Sequence, residues 1–461
     1  MMTSYMNRRA TLLAHMQAQG GGVAILSTSR EMTRNSDCHF PFRHDSYFYY
    51  LSGFTEPEAV IVLVAGSNGS VNQTLLFCRE KNLEREIWDG YRYGPEAAQQ
   101  QFGFDAAYPL SALATELPRL LTDAPVLFHT SGHDAQLDAQ LQTWLNTIKG
   151  QSRSGVLPPQ TTHDLHGLMN EMRLIKDGGE IALMQRAASI SAVAHERAMR
   201  ITRPGMYEYV LEAELQHEFR RQGSQAPAYN SIVAAGANAC VLHYNANNAQ
   251  IKDGDLILID AGCEFDSYAS DITRTFPANG RFSGPQQALY EIVLASQQAA
   301  LSHAIIGARY MDGHNAAVRV LTQGMLDTGL LDANRVGTVD DAIHQNAFRQ
   351  FYMHGTGHWI GLDVHDVGHY REVNRHVSAS VADPASSALA PVEKPWRTLQ
   401  AGMALTIEPG IYVRPAQGVP EQFWNIGIRI EDDIVITENG PLNLSRDTPK
   451  TVAEIESVMK K

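Results

Sequence analysis

The chain has 461 residues, a formal net charge of -13 and an isoelectric point near 5.7. That length accommodates two or three domains with their own cores, and that charge argues against a nucleic-acid partner or an anionic membrane surface. Four cysteines without Cys-x-x-Cys spacing (Cys38, Cys78, Cys240, Cys263) read as reduced, mostly buried thiols rather than a disulfide frame.

No apolar run reaches the ~18 residues that suggest a membrane span. Behind Arg8 and Arg9, the apolar residues Leu12, Leu13 and Met16 are interleaved with polar ones, as on an amphipathic helix and not as in a cleavable signal. The chain therefore reads as cytoplasmic. Up to about residue 172, short apolar runs alternate with helical patterns. Gly22–Leu26, Ala59–Val64, Thr74–Phe77 and Val126–Phe128 read as strands, and 112–121 and 135–148 as helices, which together suggest an α/β domain. The aromatic stretch from Arg43 to Gly53 reads as core packing before ligand contact. Trp88 and Arg153 are large groups in polar surroundings; alone, each would be a surface anchor.

The charged, glycine-containing segment Met172–Glu180 precedes a helical pattern (Ile181, Met184, Ala188, Ala192, Met199) that stops at Arg203-Pro204-Gly205. The boundary is placed here, giving domains 1–175 and 176–461. A second helix over 206–222 leads to Leu256-Ile-Leu-Ile-Asp260, a buried strand ending in an acid. Ala261-Gly262 is read as its turn and Ile272–Phe276 as the returning strand, just after Asp271. Carboxylates in such apolar company are paired, protonated or bound to metal.

The plan then repeats: a helix over Gln286–Ile306, a helical stretch near 342–348, and strands over Ala404–Val413 and Ile426–Ile436 that carry Glu408 and Glu431. Each half thus delivers two acids on adjacent strands, and a pseudo-twofold arrangement would bring all four together. Residues 372–396, rich in Ala, Ser, Val and Pro, read as a mobile surface insertion. Between the strand sets lie His354-Gly-Thr-Gly-His358 and His365, three histidines within twelve residues, with His243 a fourth upstream. A lone histidine is usually a satisfied core or surface group. Several on a glycine-broken loop point to one site.

Taken together, Asp260 with Asp271, His354-Gly-Thr-Gly-His358, His365, Thr406-Ile-Glu408-Pro-Gly and Gly427-Ile-Arg429-Ile-Glu431-Asp-Asp resemble the pita-bread metallopeptidases, most closely their Xaa-Pro aminopeptidase branch. The stretch Asn35 to Gly53 is similar to that branch's amino-terminal domain. The resemblance implies an α+β chain: a carboxy-terminal pita-bread (creatinase/aminopeptidase-like) domain behind an amino-terminal α/β creatinase-like domain. It implies two divalent ions, of which Mn²⁺ suits the oxygen-rich donors best, with cobalt, iron or zinc as alternatives. Their ligands would be Asp260, Asp271, His358, Glu408 and Glu431. Charge agrees, since four carboxylates and a neutral imidazole balance two divalent cations.

By the same resemblance the activity is removal of the first residue from peptides with proline second, by a water activated between the ions. Glu408 would act as general base, His243 and His365 would contact substrate or intermediate, and His354 would support them. Arg429 would brace the acids, and Tyr229, Trp88 and Arg153 would line the substrate cleft, some from a neighbouring subunit of a homo-oligomer (tetramer or dimer). Close relatives join His365 to the Glu408 strand by a shorter link, and Arg397 is a candidate for an arginine they carry before that strand. A proline dipeptidase shares these ligands and is the main alternative; a metal-free peptide-binding protein on this fold is the alternative from another class.

Overall fold

The computed structural model describes residues 2–66, 71–372 and 394–460. The predicted insertion therefore lies mostly outside the described residues. The chain forms two compact units, one ending at Arg173 and the other starting at Leu174.

The first unit is built on a six-stranded mixed sheet in the order Ala106–Pro109, Gln73–Cys78, Val60–Ala65, Gly22–Ser27, Val126–Phe128, Thr161–His163. Its central strand, Gly22–Ser27, is buried throughout, antiparallel to one neighbour and parallel to the other. Gly22 is obligatory here: its φ is +136°, and a Cβ would lie 2.1 Å from the Val126 carbonyl oxygen. The helices Leu113–Leu121 and Ala135–Gly150 lay Leu117, Leu121, Leu137 and Leu141 over the sheet residues Val23, Ile25, Val62 and Phe77. The aromatic stretch is indeed packing. Asp45 caps the short helix Ser46–Ser52, whose Phe48, Tyr49, Tyr50 and Leu51 are all buried. Arg9 is the unexpected feature: it is only 1 % exposed, donates to the carbonyls of Leu51 and Phe102, and stacks on Phe104.

In the second unit, helix pairs precede the strand sets. Asp177 and Glu180 form a capping box that starts the helix Gly178–Ile201, which packs on Glu208–Arg221. Downstream, Ser283 and Gln286 do the same for Gly284–Leu301. That helix ends five residues short of the expected Ile306, and its partner, Tyr310–Asp327, is absent from the sequence reading. The buried apolar face of Tyr310–Asp327 is Ala317, Val318, Leu321 and Met325, and Gly313 lies against the Ala300 carbonyl and Gly324 against Ile292, where any Cβ would clash or crowd, so the two helices cross closely. The internal echo is thus fuller than the residue pattern suggests.

Each half supplies a three-stranded antiparallel sheet: Ile232–Ala235, Leu256–Asp260 and Thr273–Pro277 in one, Ala404–Ile407, Asp432–Thr437 and Gly440–Asn443 in the other. The edge strand Thr273–Pro277 of the first meets the segment Arg429–Glu431 that leads into Asp432–Thr437 of the second. The Glu431 N–H donates to the Thr273 carbonyl at 3.1 Å, and Thr275 exchanges hydrogen bonds with the Arg429 backbone at 3.0 and 3.2 Å. That seam is what brings the acids of both halves together.

Candidate metal centre

Every acid of the cluster sits where a strand stops. Asp260 ends Leu256–Asp260, and the chain beyond it is fixed by His195, a wholly buried side chain whose Nε2 donates to the Ala261 carbonyl at 2.9 Å. Ala261-Gly262 is not the turn. A further hairpin, Cys263–Phe265 with Tyr268–Ala269, intervenes and reverses at Asp266-Ser267, whose φ angles of 45° and 71° are both left-handed. Gly262 instead allows the hairpin's two legs to touch, since a Cβ there would fall 1.7 Å from the Ser270 carbonyl oxygen. Asp271 follows, and its N–H donates to the Asp433 carboxylate at 3.0 Å.

The second half uses strand breaks for the same purpose. Ala404–Val413 is two strands, not one, interrupted at Glu408-Pro409; Ile426–Ile436 is likewise interrupted at Ile430-Glu431. Proline cannot donate to a ladder, so Pro409 ends the pairing and releases Glu408 from it. His358 is set beside them by Thr406, whose Oγ1 accepts the His358 N–H at 3.1 Å. Gly357 makes that approach possible, for a Cβ would lie 2.0 Å from the Thr406 carbonyl oxygen.

The five predicted ligands line one cavity of about 480 Å³, together with Tyr229, His243, His354, His365 and Arg429. Among the described residues, Asp271, His358 and Glu431 place one ligand atom each within 4.8 Å of one another. His358 Nε2 is 3.4 Å from Asp271 Oδ2 and 3.8 Å from Glu408 Oε1. The Tyr229 hydroxyl bridges Asp260 and Asp271, and Arg429 Nη2 donates to Asp260 Oδ2 at 2.6 Å. Trp88 and Arg153 are not in this cavity. Both belong to the first unit, Trp88 82 % exposed on the helix Leu83–Asp89 and Arg153 exposed on a short turn.

Hydrogen bonds assign the imidazoles. His358 Nδ1 faces the Trp359 carbonyl at 3.0 Å, which can only accept, so Nδ1 carries a proton and Nε2 is the nitrogen turned toward the acids. His354 Nδ1 likewise donates to the Gly355 carbonyl, while Nε2 accepts from the Tyr412 hydroxyl at 2.8 Å, itself an acceptor from Arg429 Nη1 at 2.9 Å.

The charges leave a deficit. Burial, with the neighbouring carboxylates, pushes Glu408 up to about 7 and Glu431 well above the usual carboxylate range. Burial works against charge on His358 too, yet the Asp271 hydrogen bond and the Glu408 and Asp271 carboxylates push it up to about 9. Arg429 and a protonated His358 do not balance four desolvated acids, so the cluster keeps protons. Hard divalent cations fit the same oxygen donors and the His358 Nε2, and would replace those protons.

Residues 182–438 match the model of metallopeptidase family M24, and residues 5–128 that of the aminopeptidase P amino-terminal domain. The chain belongs to metallopeptidase family M24. It is 43 % identical to the Xaa-Pro aminopeptidase of Escherichia coli K12 over 99 % of this chain and 97 % of that protein. Identity is 34 % to Xaa-Pro aminopeptidase 3 of Rattus norvegicus, over 98 % and 85 %. Among solved structures, Pseudomonas aeruginosa aminopeptidase PepP superposes with a TM-score of 0.91 at 46 % identity, covering 100 % of this chain and 98 % of its own. Aminopeptidase P from E. coli with the inhibitor Pro-Leu gives 0.90 at 42 %, with the same coverages. The expected fold class therefore holds: a pita-bread M24 domain behind an aminopeptidase P amino-terminal domain. Among the described residues, no helix is long and apolar enough to cross a membrane.

Several groups that shape the site escaped the sequence reading. Thr273 Oγ1 donates to Glu431 Oε2 at 2.6 Å, Tyr412 links Arg429 to His354, and His195 holds the chain just after Asp260. Only a charged or polar residue inside an apolar run could have signalled them, as Thr273 and Arg274 do within Ile272–Phe276. His195 carries a pH prediction. Burial pulls its pKa down to about 4, below the ~6.5 of a free imidazole. The unfolded chain therefore takes up a proton that the folded one refuses, and stability falls as pH drops from about 6.5 toward 4. Thermal melts across that range should show a shallower slope in His195→Gln than in the parent protein.

Proposed function

We propose that this chain is a metal-dependent Xaa-Pro aminopeptidase, removing the first residue of peptides whose second is proline. The observation that carries the reading is the convergence of four carboxylates and the Nε2 of an imidazole on one cavity in an M24 chain. Asp260, Asp271, His358, Glu408 and Glu431 hold two divalent ions, most suitably Mn²⁺. Bound there, the ions supply the Lewis acidity that lowers the pKa of water and polarises the scissile carbonyl.

The chain's own groups do the rest. Glu408 takes the proton of the attacking water and passes it to the departing proline nitrogen. His243 and His365, both on the cavity wall, donate to the oxyanion that forms at the carbonyl. Asp260 receives the substrate's free amine, which limits cleavage to the first residue. Arg429 holds Asp260 in place and, through Tyr412, sets the His354 tautomer. Tyr229, between Asp260 and Asp271, orients both at the cleft. His354→Ala is expected to lower kcat by about 10- to 100-fold while metal content, measured by elemental analysis, stays at the parent value.

The two-domain division at 175/176 is kept, with catalysis assigned to 176–461. Trp88 and Arg153 serve as cleft residues contributed by another copy in a cytoplasmic homotetramer. The exposed Leu83, Ile87, Trp88 and Tyr91 support that assembly, because so much apolar surface in one short segment calls for a cover. The experiment that tests the activity compares an Xaa-Pro-Yaa tripeptide, an Xaa-Pro dipeptide and an Xaa-Ala-Yaa control. Release of Xaa from the first alone, or foremost, is expected; strong preference for the dipeptide would transfer the chain to the proline dipeptidases.

A further inference from the structure

Lys176 and Asp366 form an ion pair at 2.9 Å in which both side chains are 1 % exposed. Nothing in the proposed chemistry requires it, and charge this deeply buried is costly unless it does something the apolar alternative cannot. Its two ends lie on segments that lead directly into the site.

The lysine is anchored to the second strand set. The Lys176 N–H donates to the Gly402 carbonyl at 2.8 Å, and Ile175 bridges Met403, immediately before the strand Ala404–Ile407 that ends at Glu408. Gly402 is shaped for that contact, with φ of +87° and room for no Cβ, which would lie 3.0 Å from the Lys176 carbonyl oxygen. The aspartate belongs to the loop that carries His365. Its own N–H donates to the Trp359 carbonyl at 2.8 Å, closing the loop on the residue next to His358. Gly361, inside the loop, is bare for the same reason: a Cβ would lie 2.2 Å from Asp366 Oδ2 and 2.8 Å from Lys176 Cε. Gly361 thus makes space for the ion pair, and Gly402 for the backbone contact that anchors its lysine.

The consequence is felt at the next residue. The ring of His365 lies against that of His358, with centroids 4.1 Å apart, and lines the cavity. We propose that the Lys176–Asp366 pair positions His365, by clamping its loop to the strand that presents Glu408. Lys176 and Asp366 are positioning residues: neither lines the cavity. The inference rests on the aminopeptidase reading, in which His365 donates to the oxyanion.

A double-mutant cycle tests it, with kcat/KM on an Xaa-Pro-Yaa tripeptide measured for the parent, Lys176→Met, His365→Ala and the double variant. Lys176→Met is expected to lower kcat/KM by about 10- to 100-fold in the parent. In the His365→Ala background the same change should cost no more than about twofold, because its effect is already spent. Equal factors in both backgrounds overturn the proposal, as does loss of bound metal in Lys176→Met, which would locate the effect at the ligands. If Lys176→Met misfolds, Lys176→Met with Asp366→Leu removes both charges and restores a packable core; it should fold, and its defect should again vanish in His365→Ala. A parent protein that cleaves no Xaa-Pro peptide sinks the functional reading itself, a different result from an additive cycle.

Discussion

Asp271→Ala is expected to abolish peptide hydrolysis. Asp271 is the acid on which the others converge: His358 approaches one carboxylate oxygen at 3.4 Å and the Tyr229 hydroxyl meets the other. In the proposed centre it is one of the residues that would hold the ions, so its loss would take their chemistry from the site. Metal catalysis of this kind contributes several kcal/mol of charge stabilisation, and at about 1.4 kcal/mol per decade the loss is about 10³-fold or more. Asp433, which receives the Asp271 N–H, stays in place, so the fold should survive. Kinetics with elemental analysis checks this. Turnover near the parent value would refute the site.

Arg274→Met should have the largest effect on stability. The guanidinium is completely buried and fully engaged: Nη2 bonds Asp432 Oδ1 at 2.7 Å and the Thr448 carbonyl at 3.1 Å, Nη1 bonds the Glu431 carbonyl at 2.6 Å, and Nε the Pro449 carbonyl at 3.0 Å. Removing it leaves the Asp432 carboxylate with Lys450 as its remaining cation and Asn443 Nδ2 as a neutral donor and costs about 3–5 kcal/mol. The sign of the pH effect follows. Burial opposes ionisation of Asp432, but Arg274 and Lys450 override it and hold the carboxyl well below the usual range. The parent's stabilisation is thus present above about pH 3.9 and lost as pH falls through the folded value. The gap between parent and variant should be widest at neutral pH and narrow below about pH 4. Denaturant melts at several pH values measure it; a gap independent of pH would mean that the arginine acts by packing.

Much of this site is legible along the chain because its chemistry is concentrated. Acids at the ends of apolar strands and histidines between glycines are expensive choices, and each marks the cavity that it lines. What stayed hidden is what depends on three dimensions. The hairpin at Asp266-Ser267 is too short to register as a pair of strands, and Pro409 divides one apolar run into two strands with different partners. The helix Tyr310–Asp327 does carry an apolar stripe, Ala317, Val318, Leu321 and Met325, but its close approach at Gly313 and Gly324 shows only in three dimensions. Thr273, Tyr412 and His195 look like ordinary strand and helix residues until their hydrogen bonds are seen. Arg397 is buried ahead of the Glu408 strand.

The most direct test of the central claim is a metal titration of chelator-treated protein, following bound Mn²⁺ and Xaa-Pro-Yaa hydrolysis together. Binding that saturates at two ions per chain, with activity returning over the same range, is the predicted result. Hydrolysis that survives complete removal of metal, or a protein that binds no divalent ion, would contradict the account.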